Sequence, residues 1–297
     1  MSVLQELKGI DYAPFTLQFL SVPNSKSISS IKQGCLLRIH WKDLGTTYSV
    51  LDPWEVFHDE PLPIQLSKLI KNEFTILSKQ SILNSRLPFM ELEVSPKSHK
   101  LFQNFSYFFP DPDHTHIKIK VTSPDVLLKL MKERLSDLKP YHLRFDFNLH
   151  PSPQAVIAFI DEVLSLGLNI DFIEDPFEDE NYLKDLKAPF FSDFKSYKNP
   201  SGYVLKPALL SLETMSSRML EKPNSIVTTY MSHPLEQWIS SYLANKLAST
   251  AIHGLLTHEI LLETPYHQAL SKNGACVSFQ KSLFLKLLEQ ETWLKLH

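Results

Sequence analysis

The sequence predicts a parallel α/β barrel, closed or nearly closed, preceded by a small α+β module. From about residue 114 onward, strand-like runs alternate with helix-like runs. Successive strand–helix units imply parallel strands joined by right-handed crossovers. Charged residues then fall at the C-terminal ends of those strands: Lys120, Asp146, Glu174, Asp193 and Lys206. In a barrel such positions converge on one mouth, whereas in an open sheet they spread along an edge.

The module comes first. Phe15 to Leu20 and Cys35 to Trp41 are strand-like, with a polar, loop-like stretch from Val22 to Gln33 between them. Leu62 to Leu77 has helical spacing, with Ile64, Leu66, Leu69 and Ile70 apolar. The barrel units follow. In His116–Val121, Ile117, Ile119 and Val121 share one face, and His116, Lys118 and Lys120 the other. Ser123-Pro124-Asp125 gives a cap, a proline at the first helical position and an acid in the first turn. Val126, Leu127, Leu130, Met131 and Leu138 continue at helical spacing, broken only by Arg134. Tyr141–Phe147 repeats the strand, placing Arg144 and Asp146 on one face, and Ser152-Pro153 caps the next helix, with Gly167 as its stop. Strands are expected at Asn169–Ile173, Tyr203–Leu205 and Ile226–Thr229, and a long helix at Leu235–Ala251. Leu255-Leu256 and Ala275–Phe279 are the last strand candidates. The expected division is 1–110 for the module and 111–280 for the barrel, with 281–297 a candidate addition to the module.

Bulk properties exclude several classes. A chain of 297 residues with 43% hydrophobic and 21% charged residues suits an ordinary folded protein, not long disorder. A net charge of -3 gives no basic stripe for nucleic acid or an anionic membrane. No apolar run reaches the roughly 18 residues of a membrane span. Met1 to Pro14 carries Glu6 and Asp11 and does not have the pattern of a signal peptide, so a cytoplasmic location is expected. Cys35 and Cys276 lie far apart, as expected of reduced thiols. With 7 glycines there is no phosphate-cradling motif. His114 and His116 share a strand face but lack a third zinc ligand at the usual spacing.

The strand-end residues carry the chemistry. Three inward carboxylates, Asp146, Glu174 and Asp193, repel each other and are costly to bury alone. A hard divalent cation removes that penalty, and an all-oxygen donor set suits one Mg²⁺. Lys118 and Lys120 point the same way, and close like charges depress proton affinity, which suits a lysine base near neutral pH. Lys206 approaches from a strand further round. A metal between two lysines fits abstraction of a proton next to a carboxylate, because the resulting enediolate needs positive charge. Either lysine could take the proton. The implied partner is a small carboxylate substrate.

These segments resemble the enolase superfamily, most closely the o-succinylbenzoate synthases: Lys118-Ile119-Lys120, Leu143-Arg144-Phe145-Asp146-Phe147-Asn148, Ile173-Glu174-Asp175-Pro176, Ser192-Asp193 and Val204-Leu205-Lys206-Pro207. The resemblance implies a (β/α)7β barrel of the TIM type with an N-terminal α+β capping domain. It implies that Lys120 takes the proton and later helps water leave, while Lys206 stabilises the enediolate. Asp146, Glu174 and Asp193 would bind Mg²⁺, and Lys118 would tune Lys120. Arg144 and Asn148 would touch the substrate or the residues that do. Thr228, Thr229 and Ser232 could donate to a substrate carboxylate, and a loop around Ser25 to Lys32 would cap the site. The chain departs from the family at Asp193-Phe194-Lys195, where relatives commonly carry an acid after the aspartate, and the stretch from Asp193 to Lys206 leaves little room for a helix. The implied reaction is loss of water from a hydroxycyclohexadiene carboxylate bearing a succinyl group. Alternatives are an N-acylamino acid racemase, a dipeptide epimerase, a cycloisomerase, or a barrel that binds without catalysis.

Overall fold

The computed structural model describes residues 3–20, 29–88, 96–102, 105–248 and 250–296. The first half of the expected capping loop, 25–28, therefore falls outside the described residues, and 29–32 are described.

The N-terminal sheet is antiparallel. Strands β1 (Leu7–Gln18), β2 (Ile31–Trp41) and β3 (Gly45–Leu51) form a meander, and β2 is the central strand of the three. Strand β2 starts at Ile31, inside the stretch expected to be a loop, because Gln18 pairs with Ile31. Helices α1 (Leu62–Ile70) and α2 (Ile76–Asn84) replace the single helix expected over 62–77. The break has a local cause. Asn72 turns left-handed (φ 58), and Thr75 and Ser78 form a reciprocal capping box that starts α2 afresh.

The second sheet has seven parallel strands. They are β4 (Lys100–Phe102), β5 (His116–Lys120), β6 (His142–Asp146), β7 (Asn169–Glu174), β8 (Phe190–Ser192), β9 (Gly202–Leu205) and β10 (Ile226–Val227), paired in chain order. Its two edges meet through residues 253 and 254. Ser98 bridges His253 and Thr228 bridges Gly254, both in parallel, so the ring closes. Gly254 suits that seam: a Cβ there would lie 2.6 Å from Thr228 Cγ2 and 3.0 Å from His99 Cε1.

Helices α3 (Pro124–Glu133) and α4 (Leu135–Leu138) follow β5, and the break between them falls at Arg134. Arg134 turns away to Asp137 and the Phe108 carbonyl. Helix α5 (Pro153–Ser165) follows β6, with Ser152 accepting from the Ala155 N–H and Gly167 left-handed after its end. Only a 3₁₀ turn (Glu180–Asp185) separates β7 from β8, and among the described residues no helix lies between β8 and β9. Helices α6 (Leu212–Glu221) and α7 (Pro234–Ala248) complete the outer layer. Strands β11 (Leu270–Asn273) and β12 (Cys276–Phe279) form a separate antiparallel hairpin, so the candidate at 275–279 is not a barrel strand. Helix α8 (Lys281–Glu289) leads to β13 (Leu294–Lys295), which pairs with β1 in the N-terminal sheet.

The alternation seen in the sequence sorts side chains as expected. Ile117, Ile119, Leu143 and Phe145 pack outward against Leu127, Met131, Val156 and Phe159 of the helices. A fully buried side chain of this size contributes about 1.5–3 kcal/mol. The N-terminal sheet docks on the barrel: Leu37, Ile39 and Trp54 share a core with Ala208 and Tyr230. Cys35 and Cys276 are both free thiols. Among the described residues, no helix is long and apolar enough to cross a membrane.

Candidate active site

Register builds the site. Lys120 pairs with Asp146, and Asp146 with Glu174, so three strand ends stand at one level. Asp193 follows β8 and Lys206 follows β9. Strand β9 is four positions from β5 in a ring of eight segments, so Lys120 and Lys206 approach from opposite sides. A cavity of about 50 Å³ lies between them. Lys118, Lys120, Asp146, Glu174, Asp193 and Lys206 line it, as do Asn148, Thr228 and Thr229.

Two residues expected to touch the substrate, or the residues that do, are not in the cavity lining, although one of them, Arg144, bonds His99, which is. Arg144 does not line this cavity. It points toward the opposite end of the barrel, where its Nε donates to Asp171 at 2.7 Å and its guanidinium lies 4.8 Å from the Phe172 ring. Strand alternation puts Arg144 inside but one layer lower than Asp146. Ser232 is buried behind the cavity wall and does not line it either. The larger cavity, about 540 Å³, is at the Arg144 end. Its one carboxylate, Asp171, is already paired with Arg144 and lies 3.8 Å from His116, whereas the smaller cavity gathers three acids and three lysines and is the candidate site.

Lysines occupy the space between the acids. Lys118 Nζ donates to both Glu174 oxygens at 2.7 Å and lies 3.0 Å from Asp146 Oδ2. Lys206 Nζ donates to Asp193 Oδ2. Lys120 Nζ is looser, 3.8 Å from Asp146 Oδ2. The two neighbouring lysines therefore do not depress one another equally. Burial, with the Lys118 and Lys206 charges, lowers the Lys120 pKa despite Asp146. Burial would lower Lys118 too, but Asp146 and Glu174 outweigh it and raise its pKa. Burial, then Asp146 and Asp193, push Glu174 up to about 8 against the pull of Lys118.

Among the described residues, no three of His, Cys, Asp and Glu stand close enough together to hold a metal ion as they are. The donor chemistry nevertheless fits one. Three hard carboxylates from successive strands face one cavity, and two ammonium groups contact them, Lys118 between Glu174 and Asp146 and Lys206 on Asp193. A divalent cation there would take over carboxylate oxygens that these ammonium groups now contact.

Sequence reasoning missed several lining groups. Phe57 of the N-terminal domain stacks on Phe194 (centroids 4.5 Å apart), and Lys206 Nζ lies 4.0 Å from that same ring. The two rings roof the site. Asp175 accepts the backbone N–H groups of Asp193 and Phe194 at 3.0 and 2.9 Å and so fixes the turn carrying Asp193. Its adjacency to Glu174 was the available signal. His99 and Thr257 also line the cavity, and nothing in their sequence neighbourhoods marks them; Tyr230 lines it too, next to the expected Thr229. His253 is structural: its Nδ1 accepts from the Val227 N–H and its Nε2 bonds the Ala248 carbonyl.

A family model described as the N-terminal domain of o-succinylbenzoate synthase matches residues 10–87. The o-succinylbenzoate synthase of Bdellovibrio bacteriovorus is 24% identical, with 97% of this chain and 98% of that protein covered. The chain resembles the o-succinylbenzoate synthases of the enolase superfamily. Among solved structures, the L-Ala-D/L-Glu epimerase of Bacillus subtilis superimposes with a TM-score of 0.75 at 12% identity, covering 93% of this chain and 96% of that one. The o-succinylbenzoate synthase of Thermosynechococcus elongatus, solved with Mg in its active site, gives 0.67 at 12% identity, covering 95% and 100%. At such identities the structural likeness establishes the fold: a TIM-like barrel under an N-terminal cap.

Proposed function

We propose that this chain is an o-succinylbenzoate synthase, a Mg²⁺-dependent hydro-lyase. It would convert 2-succinyl-6-hydroxy-2,4-cyclohexadiene-1-carboxylate to o-succinylbenzoate by syn loss of water through an enediolate. The observation that carries the reading is the unequal pair of lysines across one carboxylate-lined cavity. Lys120 is buried, loosely paired and lowered in pKa, which suits a group that takes a proton and returns it to the departing hydroxyl. Lys206 stands on the opposite wall, which suits a positive charge beside the enediolate. Asp146, Glu174 and Asp193 would hold the cation, which when bound supplies positive charge against the substrate carboxylate. Lys118 would hold Asp146 and Glu174 in place, and Asn148, Thr228 and Thr229 would contact the substrate. Loss of water makes the ring aromatic, which helps drive the step.

We also assign residues 281–297 to the cap, because β13 pairs with β1. The inner boundary moves from 110 to a point before Ser98, because β4 belongs to the barrel sheet.

Epimerisation of a dipeptide or an N-acylamino acid is the second reading, favoured by the fold shared with the Bacillus subtilis epimerase. It requires both lysines to exchange protons, whereas the synthase reading needs only Lys120 to do so. The test is to supply the synthase substrate and Mg²⁺ and follow the aromatic product by ultraviolet absorbance. Turnover is expected, and Lys120→Ala should reduce it by ~100- to 10,000-fold. No turnover by the parent, together with solvent deuterium entering dipeptides or N-succinylamino acids, would replace the synthase reading with the epimerase or racemase one.

A further inference from the structure

Arg144 holds a fixed positive charge beneath the cavity and touches one residue that lines it, His99. One Arg144 nitrogen, Nη1, bonds His99 Nδ1 at 2.8 Å and donates to the Ile252 carbonyl at 2.8 Å. A guanidinium has only donors, so His99 Nδ1 must accept. An uncharged imidazole that accepts at Nδ1 carries its proton on Nε2. Burial, then the charges of Arg144 and Lys118, hold the His99 pKa well below the usual histidine range. The ring is therefore neutral and in one tautomer.

The other side of the ring faces the cavity, which His99 lines at 3% exposure. Among the described residues Nε2 has no hydrogen-bond partner, yet it is not sealed in as the buried unpaired atoms are. Thr228 Oγ1 is one of those buried, unpaired atoms. His99 and Thr228 both border the small space above Gly254. Of these two groups only His99 Nε2 is an unused neutral donor open to the cavity.

We infer that His99, fixed as the Nε2–H tautomer by Arg144, donates to an acceptor oxygen of the bound substrate. Arg144 is then a positioning residue that acts through His99. The ligand part rests on the proposed function; the tautomer part does not.

Nitrogen-15 NMR of the full chain labelled at histidine tests both parts, with the His99 signals assigned by their loss in His99→Gln. The expected result is an unprotonated Nδ1 and a protonated Nε2 across about pH 6 to 8. In Arg144→Met the preference should weaken. Adding o-succinylbenzoate with Mg²⁺ should shift the Nε2–H signal. In turnover, His99→Phe should raise KM about three- to tenfold, the worth of one neutral hydrogen bond, with kcat less affected. His99→Gln, which keeps an N–H donor, should recover part of that loss. A protonated Nδ1 in the parent overturns the assignment whether or not the variants fold. A normal tautomer with no ligand shift and unchanged KM overturns the substrate contact. Failure of the synthase reading looks different: the parent does not turn over, while the tautomer remains as stated.

Discussion

Replacing Lys32 with methionine should destabilise the whole molecule more than any other single change at the junction between cap and barrel. Lys32 lies near the start of β2, and its side chain and that of Asp52 are each only 3% exposed, with Nζ 3.1 Å from Oδ2. The ammonium also sits 4.3 Å from the Trp54 ring and makes long contacts, 3.4 Å, to the Tyr230 and Met231 carbonyls. Trp54 Nε1 donates to the Tyr230 carbonyl at 2.8 Å, and the Tyr230 hydroxyl donates to Asp59 at 3.0 Å. Tyr230 is thus gripped by three residues of the N-terminal domain. Removing one partner of a buried ion pair costs about 3–5 kcal/mol, because the other charge is left without compensation. The cation–π contact belongs to the same ammonium and is not added to that figure. Neutralising both partners removes most of the penalty, so Lys32→Met/Asp52→Asn should lose less than about 2 kcal/mol. Urea unfolding followed by tryptophan fluorescence and far-ultraviolet circular dichroism measures both. A single variant within 1 kcal/mol of the parent, or a double variant as unstable as the single one, would refute the reasoning.

Two further outcomes are expected. Burial raises the Glu236 pKa from 4.5 to about 7, so the folded state holds this proton more tightly than the unfolded chain. Its contribution is complete below about pH 4.5 and is lost as pH rises to about 7. The stability of Glu236→Gln relative to the parent should therefore grow through that window, by on the order of 3 kcal/mol. Urea midpoints measured across the window check this, and a parallel pair of curves would contradict it. Chelating divalent cations should stop turnover yet lower Tm by less than about 5 °C, because Lys118 and Lys206 contact all three carboxylates without a metal. A chelator that unfolds the protein, seen by calorimetry, would show that the ammonium groups do not fill that role.

The barrel was legible because local pattern and global fold agree there. Alternation in His116–Lys120 and His142–Asp146 separated helix-facing from interior residues, and the strand-end charges marked the mouth. Alternation says which face a residue takes but not how deep it sits, which is why Arg144 was expected with Asp146 and lies a layer below. The helix over 62–77 divided because a capping box at Thr75 overrides apolar spacing. The closing segment was hardest to see, since residues 253 and 254 make single bridges and carry no strand pattern of their own. Phe57 and Lys32 belong to the site region only through docking of the cap, and no local signal reports a contact made across the fold.

The seam at residues 253 and 254 has a kinetic consequence. Ser98 and His253 are 155 residues apart in sequence, so closing the ring is a loop closure of long range. Such contacts form late in folding. The seam is held by a few backbone bonds, among them His99 N to His253 O and Gly254 N to Val227 O. Its amides should exchange with solvent water through smaller openings than those of β5 to β7. Arg144 reaches the Ile252 carbonyl at that same seam. The floor of the cavity therefore takes its final form only when the last joint of the ring is made.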